Sequence, residues 1–381
     1  MIYLDNAATT YPKPRRVYRV WQNAMSAYGA NPGRAGHLFA AETSSAVYAA
    51  RASCAELFGA QPENTVFTLN CTHALNFAIK GLAVKGCHFV ASDIEHNAVI
   101  RPIYAAAKRH GGSCTLFTTS EDDEQTLRSA ERAITPKTRA LVCTAAGNVT
   151  GLRPPVEALA ELCRAKGIPM IIDAAQGAGV LPLRVGGGVS FICAAGHKGL
   201  YGPMGTGLLI SDGTVPLETL IEGGTGSASE SPEMPEFTPD RFESGTVNTA
   251  GVIALGEGAR FVIQKTPAAI LSHELMLCRR FCAGAREIRG LTLLNDITPE
   301  NSAHYAPVVS FNLRGIDSSQ ATDMLSAKGF YMRGGLHCAP LAHKKAGTLE
   351  TGAVRFSPSV FTAPRDVDLL LAALRAMPPG E

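Results

Sequence analysis

With 381 residues, 46% of them hydrophobic and 18% charged, the chain has enough apolar material for a large α/β domain and a smaller companion. Its net charge is only +2 and no basic cluster stands out in the sequence, which argues against nucleic acid or an acidic membrane surface as a partner. Ten cysteines (54, 71, 87, 114, 143, 163, 193, 278, 282 and 338) are scattered without a CxxC pair, so neither a disulfide scaffold nor a metal site is expected.

The opening "MIYLDNAATTYPKP" lacks the basic start and apolar core of a signal peptide, and no apolar run is long enough to span a bilayer. A cytoplasmic location is expected. Further on, "NTVFTLN" (64–70) reads as a strand and "HALNFAIKGLA" (73–83) as a helix. "CHFVASD" (87–93) and "RALVCTAA" (139–146) are strands. The stretch "PPVEALAELCRAKG" spaces Val156, Leu159, Leu162 and Cys163 for a helix, with proline at its start and Gly167 as its stop.

Two more strands follow, "IPMIIDAA" (168–175) and "VSFICAA" (189–195). Strands apolar on both faces and separated by helices predict a mainly parallel, doubly covered sheet. From about Ser211 to Ser244 the chain turns loop-like, rich in Gly, Ser, Glu and Pro. A helix is predicted from about Asn248, a strand at "APVVSFNL", and a closing helix over "APRDVDLLLAALRAM" capped by Thr362.

In a sheet of this kind ligands collect at the carboxyl ends of the strands, and there the polar residues fall. Asp173 ends "PMIID". Lys198, fenced by Gly196, Gly199 and Gly202, comes just after "VSFICAA". Asp173 alone reads equally well as a turn-capping residue. With a lysine at the next strand end, the pair suggests a pyridinium cofactor: the acid keeps the ring nitrogen protonated and the amine holds the aldehyde. Gln176 can donate to the ring's phenolic oxygen.

His96, past a third strand end, reads either as a satisfied polar residue or as a ring stacked on that cofactor. Asn148 suits the phenolic oxygen or the substrate. In "LNCTHALN", Thr72 and the amides of Thr72 and His73 stand at a helix start suited to phosphate, where His197 adds a donor.

On these residues the sequence resembles the cysteine desulfurase and selenocysteine lyase family of class V aminotransferase-fold enzymes. The motifs are "YLDNAATT", "DAAQ", "GHKGLYGPMGTG", "FESGTVN" and "RGGLHCAPL", in order along the chain. The resemblance implies a homodimer of fold type I, an α/β protein with a mainly parallel seven-stranded sheet in a large domain (15–254). A smaller α+β domain would comprise residues 1–14 and 255–381. It also implies pyridoxal 5'-phosphate held by Lys198, with Asp173 at the pyridine nitrogen and His96 on the ring. Gln176 and Asn148 would lie on the phenolate side, with Thr72, His73 and His197 toward the phosphate. Thr225 in "EGGTGS" would reach the neighbouring subunit's phosphate.

Cys338, after His337 in a glycine-rich loop, reads by composition as another buried thiol or as a nucleophile that can approach a ligand closely. The family pattern puts the sulfur-accepting cysteine of its short-loop branch at this position, a branch that hands its persulfide to an acceptor protein. Arg355 matches the family's carboxylate-binding arginine, a task suited to a guanidinium. Arg333 and Asn31 are further substrate-pocket candidates.

Three departures stand out. Ala195 replaces a phosphate-binding serine, Leu336-His337 replaces a doubled histidine, and "NPGRAGH" lacks the commoner histidine before Arg34. The activity implied is conversion of L-cysteine to L-alanine with sulfur transferred to Cys338. The alternatives are selenium release from L-selenocysteine, another reaction of the class, or a non-catalytic sulfur carrier or scaffold.

Overall fold

The computed structural model describes residues 1–33 and 36–377, so Arg34 lies outside the described residues. The short strand β1 (Ile2–Tyr3) leads to helices α1 (Arg15–Ala27) and α2 (Leu38–Phe58). Strands and helices then alternate: β2 (Thr65–Thr68), α3 (Cys71–Gly81), β3 (His88–Ser92), α4 (Asn97–His110), β4 (Ser113–Phe117), α5 (Asp123–Ala133), β5 (Thr138–Thr144), α6 (Val156–Lys166) and β6 (Met170–Asp173). Two strands follow without an intervening helix, β7 (Val189–Ala195) and β8 (Gly207–Ser211).

These strands form one seven-stranded sheet of order β2-β8-β7-β6-β5-β3-β4. All neighbours are parallel except β8, which runs antiparallel to both β2 and β7. All seven residues of β7 and all four of β6 are buried, as a sheet covered on both faces requires. Two hydrophobic clusters, one on each side, include Leu141 and Ile172, and Val142 and Ile171. Glycine in the left-handed region stops α2, α4 and α6 at Gly59, Gly111 and Gly167.

The remaining elements are α7 (Thr249–Lys265), α8 (Pro267–Ala285), β9 (Leu291–Leu293), β10 (Val309–Leu313), α9 (Ser318–Ala327), β11 (Phe330–Tyr331), α10 (Pro340–Lys345), β12 (Val354–Phe356) and α11 (Pro364–Arg375). Here β12, β10 and β9 make a small antiparallel sheet, and β1 pairs in parallel with β11. A third cluster, with Leu4, Phe281, Phe311 and Leu370, is the core of this part.

Two expectations shift. The closing helix is capped at Ala363, whose N–H donates to Asp366, while Thr362 Oγ1 accepts the Ser359 N–H one turn earlier. The segment 212–248 lacks regular structure but is packed in place. Arg51 forms a buried bidentate pair with Glu243, at 2.5 and 2.9 Å, and Glu243 also accepts the Phe67 N–H. Among the described residues no helix is long and apolar enough to cross a membrane.

Candidate active site

Lys198 stands in the turn after β7. Glycine is needed on both sides of it: a Cβ at position 196 would collide with Thr206 Oγ1, and one at 199 with the Ala178 carbonyl. The His197 carbonyl accepts from the Thr10 N–H (3.0 Å), the Thr9 hydroxyl (3.2 Å) and Lys13 Nζ (3.2 Å). The N-terminal motif thus pins the backbone that presents Lys198. Burial and the nearby Arg355 charge hold the Lys198 ammonium below its usual value, with Asp173 opposing.

Strand register brings the other groups into line. Asp173 pairs with Thr144 on one side and Cys193 on the other. Its Oδ1 accepts the Ala175 N–H at 2.8 Å and the Cys71 thiol at 3.4 Å, so Oδ2 remains for a ligand. His96 is the N-cap of α4, and its Nδ1 accepts the Ala98 N–H at 3.0 Å. Burial lowers its pKa, favouring a neutral ring with the proton on Nε2.

One cavity gathers Lys198, Asp173, His96, Gln176, Asn148 and His197, with Thr72 at its rim and Ala195 in its wall. Gln176 Nε2 donates to the Ala7 carbonyl at 2.9 Å. Asn148 Nδ2 donates to the His337 carbonyl at 2.7 Å, while its buried Oδ1 has no partner among the described residues. His197 Nδ1 is likewise buried and unpartnered, and burial pushes its pKa down to about 4. Arg355 is buried, donating to Asp5 Oδ1 (2.9 Å) and the Asn148 carbonyl (3.1 Å), with Nε unpartnered.

Other candidates fall elsewhere. The His73 N–H is taken by Asn70 Oδ1 at 2.9 Å, and its ring packs on Phe77 at 4.6 Å. Only Thr72 of that pair reaches the cavity. Asn31 and Thr225 line a separate cavity beside Arg51 and Glu243, so within one chain they do not join Lys198. Arg333 is exposed, bridged across to Arg355.

Cys338 is the one exposed cysteine; eight are buried and Cys114 is half-buried. It shares a groove with His96, Thr72 and Ala98, which also line the main cavity. Its carbonyl accepts the Asn97 N–H at 2.8 Å. The neighbouring His337 is buried, donating from Nε2 to the Ala353 carbonyl at 3.0 Å, and burial holds its pKa at about 2. The Asp5 and Cys71 contacts were not legible as roles in the sequence. Asp5 carried a signal, being the acid of "YLDNAATT", while Cys71 looked like any space-filling thiol.

A family model described as aminotransferase class-V matches residues 2–370. A relative named "probable cysteine desulfurase" from Methanothermobacter thermautotrophicus is 30% identical, covering 97% of this chain and 92% of its own length. One of the same name from Vibrio cholerae is 29% identical over 98% and 93%. Among solved structures, the apo cysteine desulfurase of Thermococcus onnurineus NA1 superposes with a TM-score of 0.90 at 28% identity, covering 98% of this chain and 94% of that one. A cysteine desulfurase from Escherichia coli, an S-sulfonic acid form, gives 0.84 at 25%, over 98% and 93%.

A mainly parallel sheet with a lysine and an acid at adjoining strand ends is the architecture of a fold type I enzyme of the aminotransferase class. The chain belongs to the class-V aminotransferase family, within its cysteine desulfurase branch.

Proposed function

We propose that this chain is a pyridoxal 5'-phosphate-dependent cysteine desulfurase that moves the sulfur of L-cysteine onto Cys338 and releases L-alanine. The observation that carries the reading is the adjacency of two spaces: a cavity holding Lys198, Asp173 and His96 shares Thr72, His96 and Ala98 with the groove of the exposed Cys338. Relatives named for cysteine favour that substrate over selenocysteine, and a mere scaffold has no use for such a cavity.

The cofactor fits this chemistry. His197 and Asn148 line the cavity, and each has a buried polar atom with no protein partner, leaving both free to take a ligand. Lys198 Nζ would hold the cofactor covalently, Asp173 its ring nitrogen and His96 its ring face. Gln176 and Asn148 would flank its phenolic oxygen, and Thr72 and His197 its phosphate. A homodimer would bring Thr225 of a second copy to the same phosphate. When bound, the group supplies an electron-withdrawing ring that stabilises negative charge on the substrate Cα.

The chain's own residues do the rest. Arg355 Nε, without a protein acceptor, is available to the substrate carboxylate; Arg333 is bridged to it, and Asn31, which lies in a separate cavity, would have to come from a second copy. Lys198 Nζ, its basicity lowered by burial, takes the Cα proton and returns one to the product. Cys338 Sγ attacks the substrate sulfur: a sulfur–sulfur bond forms, the carbon–sulfur bond breaks, and its electron pair stays with the carbon fragment, which leaves protonated as L-alanine. One thiol and one cysteine become one persulfide and one alanine, with no other reactant.

A division near residue 254, with residues 1–14 joining the C-terminal unit, and a cytoplasmic location complete the reading. The test is to incubate the holoenzyme with L-cysteine and map the extra sulfur by mass spectrometry. Sulfur on the Cys338 peptide with matching L-alanine is expected; L-alanine without that modification refutes it.

A further inference from the structure

The groove that opens at Cys338 runs between α3 and α4, which pack side by side. It encloses about 360 Å³ and is walled by Thr72, Asn76 and Lys80 from α3 and by Asn97, Arg101 and Ala105 from α4. Spacings of four residues set each row on one helical stripe. From Thr72 to Lys80 the stripe is roughly 12 Å long, the span of about four extended residues.

Neither helix contains a single Asp or Glu. Lys80 and Arg101 stand in the groove, and Lys108 and Arg109 continue the exposed face of α4. Among the described residues none of these four cations forms an ion pair. The sequence, read linearly, shows no basic cluster; the fold assembles one beside the one exposed thiol.

We infer that this groove is the docking surface for the sulfur acceptor, and that the acceptor is a protein whose thiol is flanked, within about four residues, by carboxylates. The inference rests on the desulfurase reading above. In the transfer the acceptor thiolate attacks the terminal sulfur of the Cys338 persulfide. A new sulfur–sulfur bond forms on the acceptor, the old one breaks, and Cys338 leaves as the thiolate, so nothing is oxidised or reduced overall. A thiol must reach the groove's end for this, which favours a protein over a nucleic acid.

The test uses holoenzyme, L-cysteine and three synthetic peptides of equal length. Each carries one cysteine followed at the third and fourth positions by Glu, Gln or Lys. Sulfur gained by each peptide is measured by mass spectrometry. The Glu peptide is expected to gain sulfur about tenfold faster than the Lys peptide at low salt, with the preference fading as salt rises. In a Lys80→Glu, Arg101→Glu variant the order should reverse, while L-cysteine turnover with dithiothreitol as acceptor is unchanged.

Equal rates for all three peptides, with sulfur present on Cys338, overturn the inference and leave the desulfurase reading standing. Sulfur never appearing on Cys338 overturns both. Conversion of the charge-reversed variant to a smaller oligomer shows that a second copy covers the groove, and stronger competition by single-stranded RNA than by a poly-glutamate peptide shows a nucleic-acid site. Either result overturns the inference.

Discussion

The Lys198 cavity and the Cys338 groove share walls but are built on opposite lines. The cavity is made from the ends of strands buried on both faces, and its polar groups are held by register: Asp173 between Thr144 and Cys193, and Lys198 just past β7. The Cys338 segment is itself a turn, in no strand. His337 and Cys338 sit side by side in the left-handed region, at φ 50° and 55°, at a cost of about 1–2 kcal/mol each for residues with a Cβ. Two tethers cross to the large sheet's loops, from the Asn97 N–H and from Asn148 Nδ2. The contrast teaches a division of labour. On the proposed function, the groups that would hold a ring stand on the sheet, and the group that would meet both substrate and acceptor stands on a loop.

The largest test of this contrast is Lys198→Ala. It should abolish turnover and remove the visible absorption of the bound cofactor, both read from one purified sample; a coloured, active variant contradicts the role of the sheet-borne amine. Cys338→Ala comes next. Sulfur transfer from L-cysteine should fall to background while cofactor absorption stays as in wild type. Loss of colour there would mean that the two regions are not separable.

Asn148→Ala removes the bond to the His337 carbonyl and so tests the tether. A loss of about 1 kcal/mol corresponds to a roughly fivefold drop in kcat/KM, measured as alanine release. An unchanged rate would show that the loop keeps its place without it.

The smallest effect on turnover, read instead as stability, concerns the buried interior beside Lys198. Burial pushes the Glu274 carboxyl up to about 8 from an ordinary 4.5. Its neutral form therefore contributes stability that is complete below about pH 4.5 and is lost as pH rises through about 8. Wild type should lose on the order of 5 kcal/mol relative to Glu274→Gln across that window, followed by urea denaturation at several pH values. Parallel curves for the two proteins would refute a neutral acid there.

Much of the sheet was legible because its signals are local. The run 189–195 is a strand from end to end since all seven residues are apolar or small and all are buried. The helix after Pro155 and its stop at Gly167 follow from spacing and a left-handed glycine. By contrast, β8 was hidden behind the glycine-rich "GPMGTG", and its reversed direction is a property of pairing with β2 and β7, not of its residues.

Within the site, strand ends predicted which side chains meet, so Lys198, Asp173, His96, Gln176 and Asn148 were readable as neighbours. What those side chains already hold was not. Asn70 captures the His73 amide, and Asp5 pairs with Arg355 across almost the whole chain. Thr225 and Asn31 mark another limit: one chain's geometry puts both in a separate cavity, with no part in the Lys198 site.

The sheltering of the other cysteines has a practical meaning. A mild alkylating reagent applied to the native protein should titrate close to one equivalent and silence sulfur handling with that single hit. On the proposed reading, sulfur carried on Cys338 would stand at the surface, within reach of whatever collects it from solution.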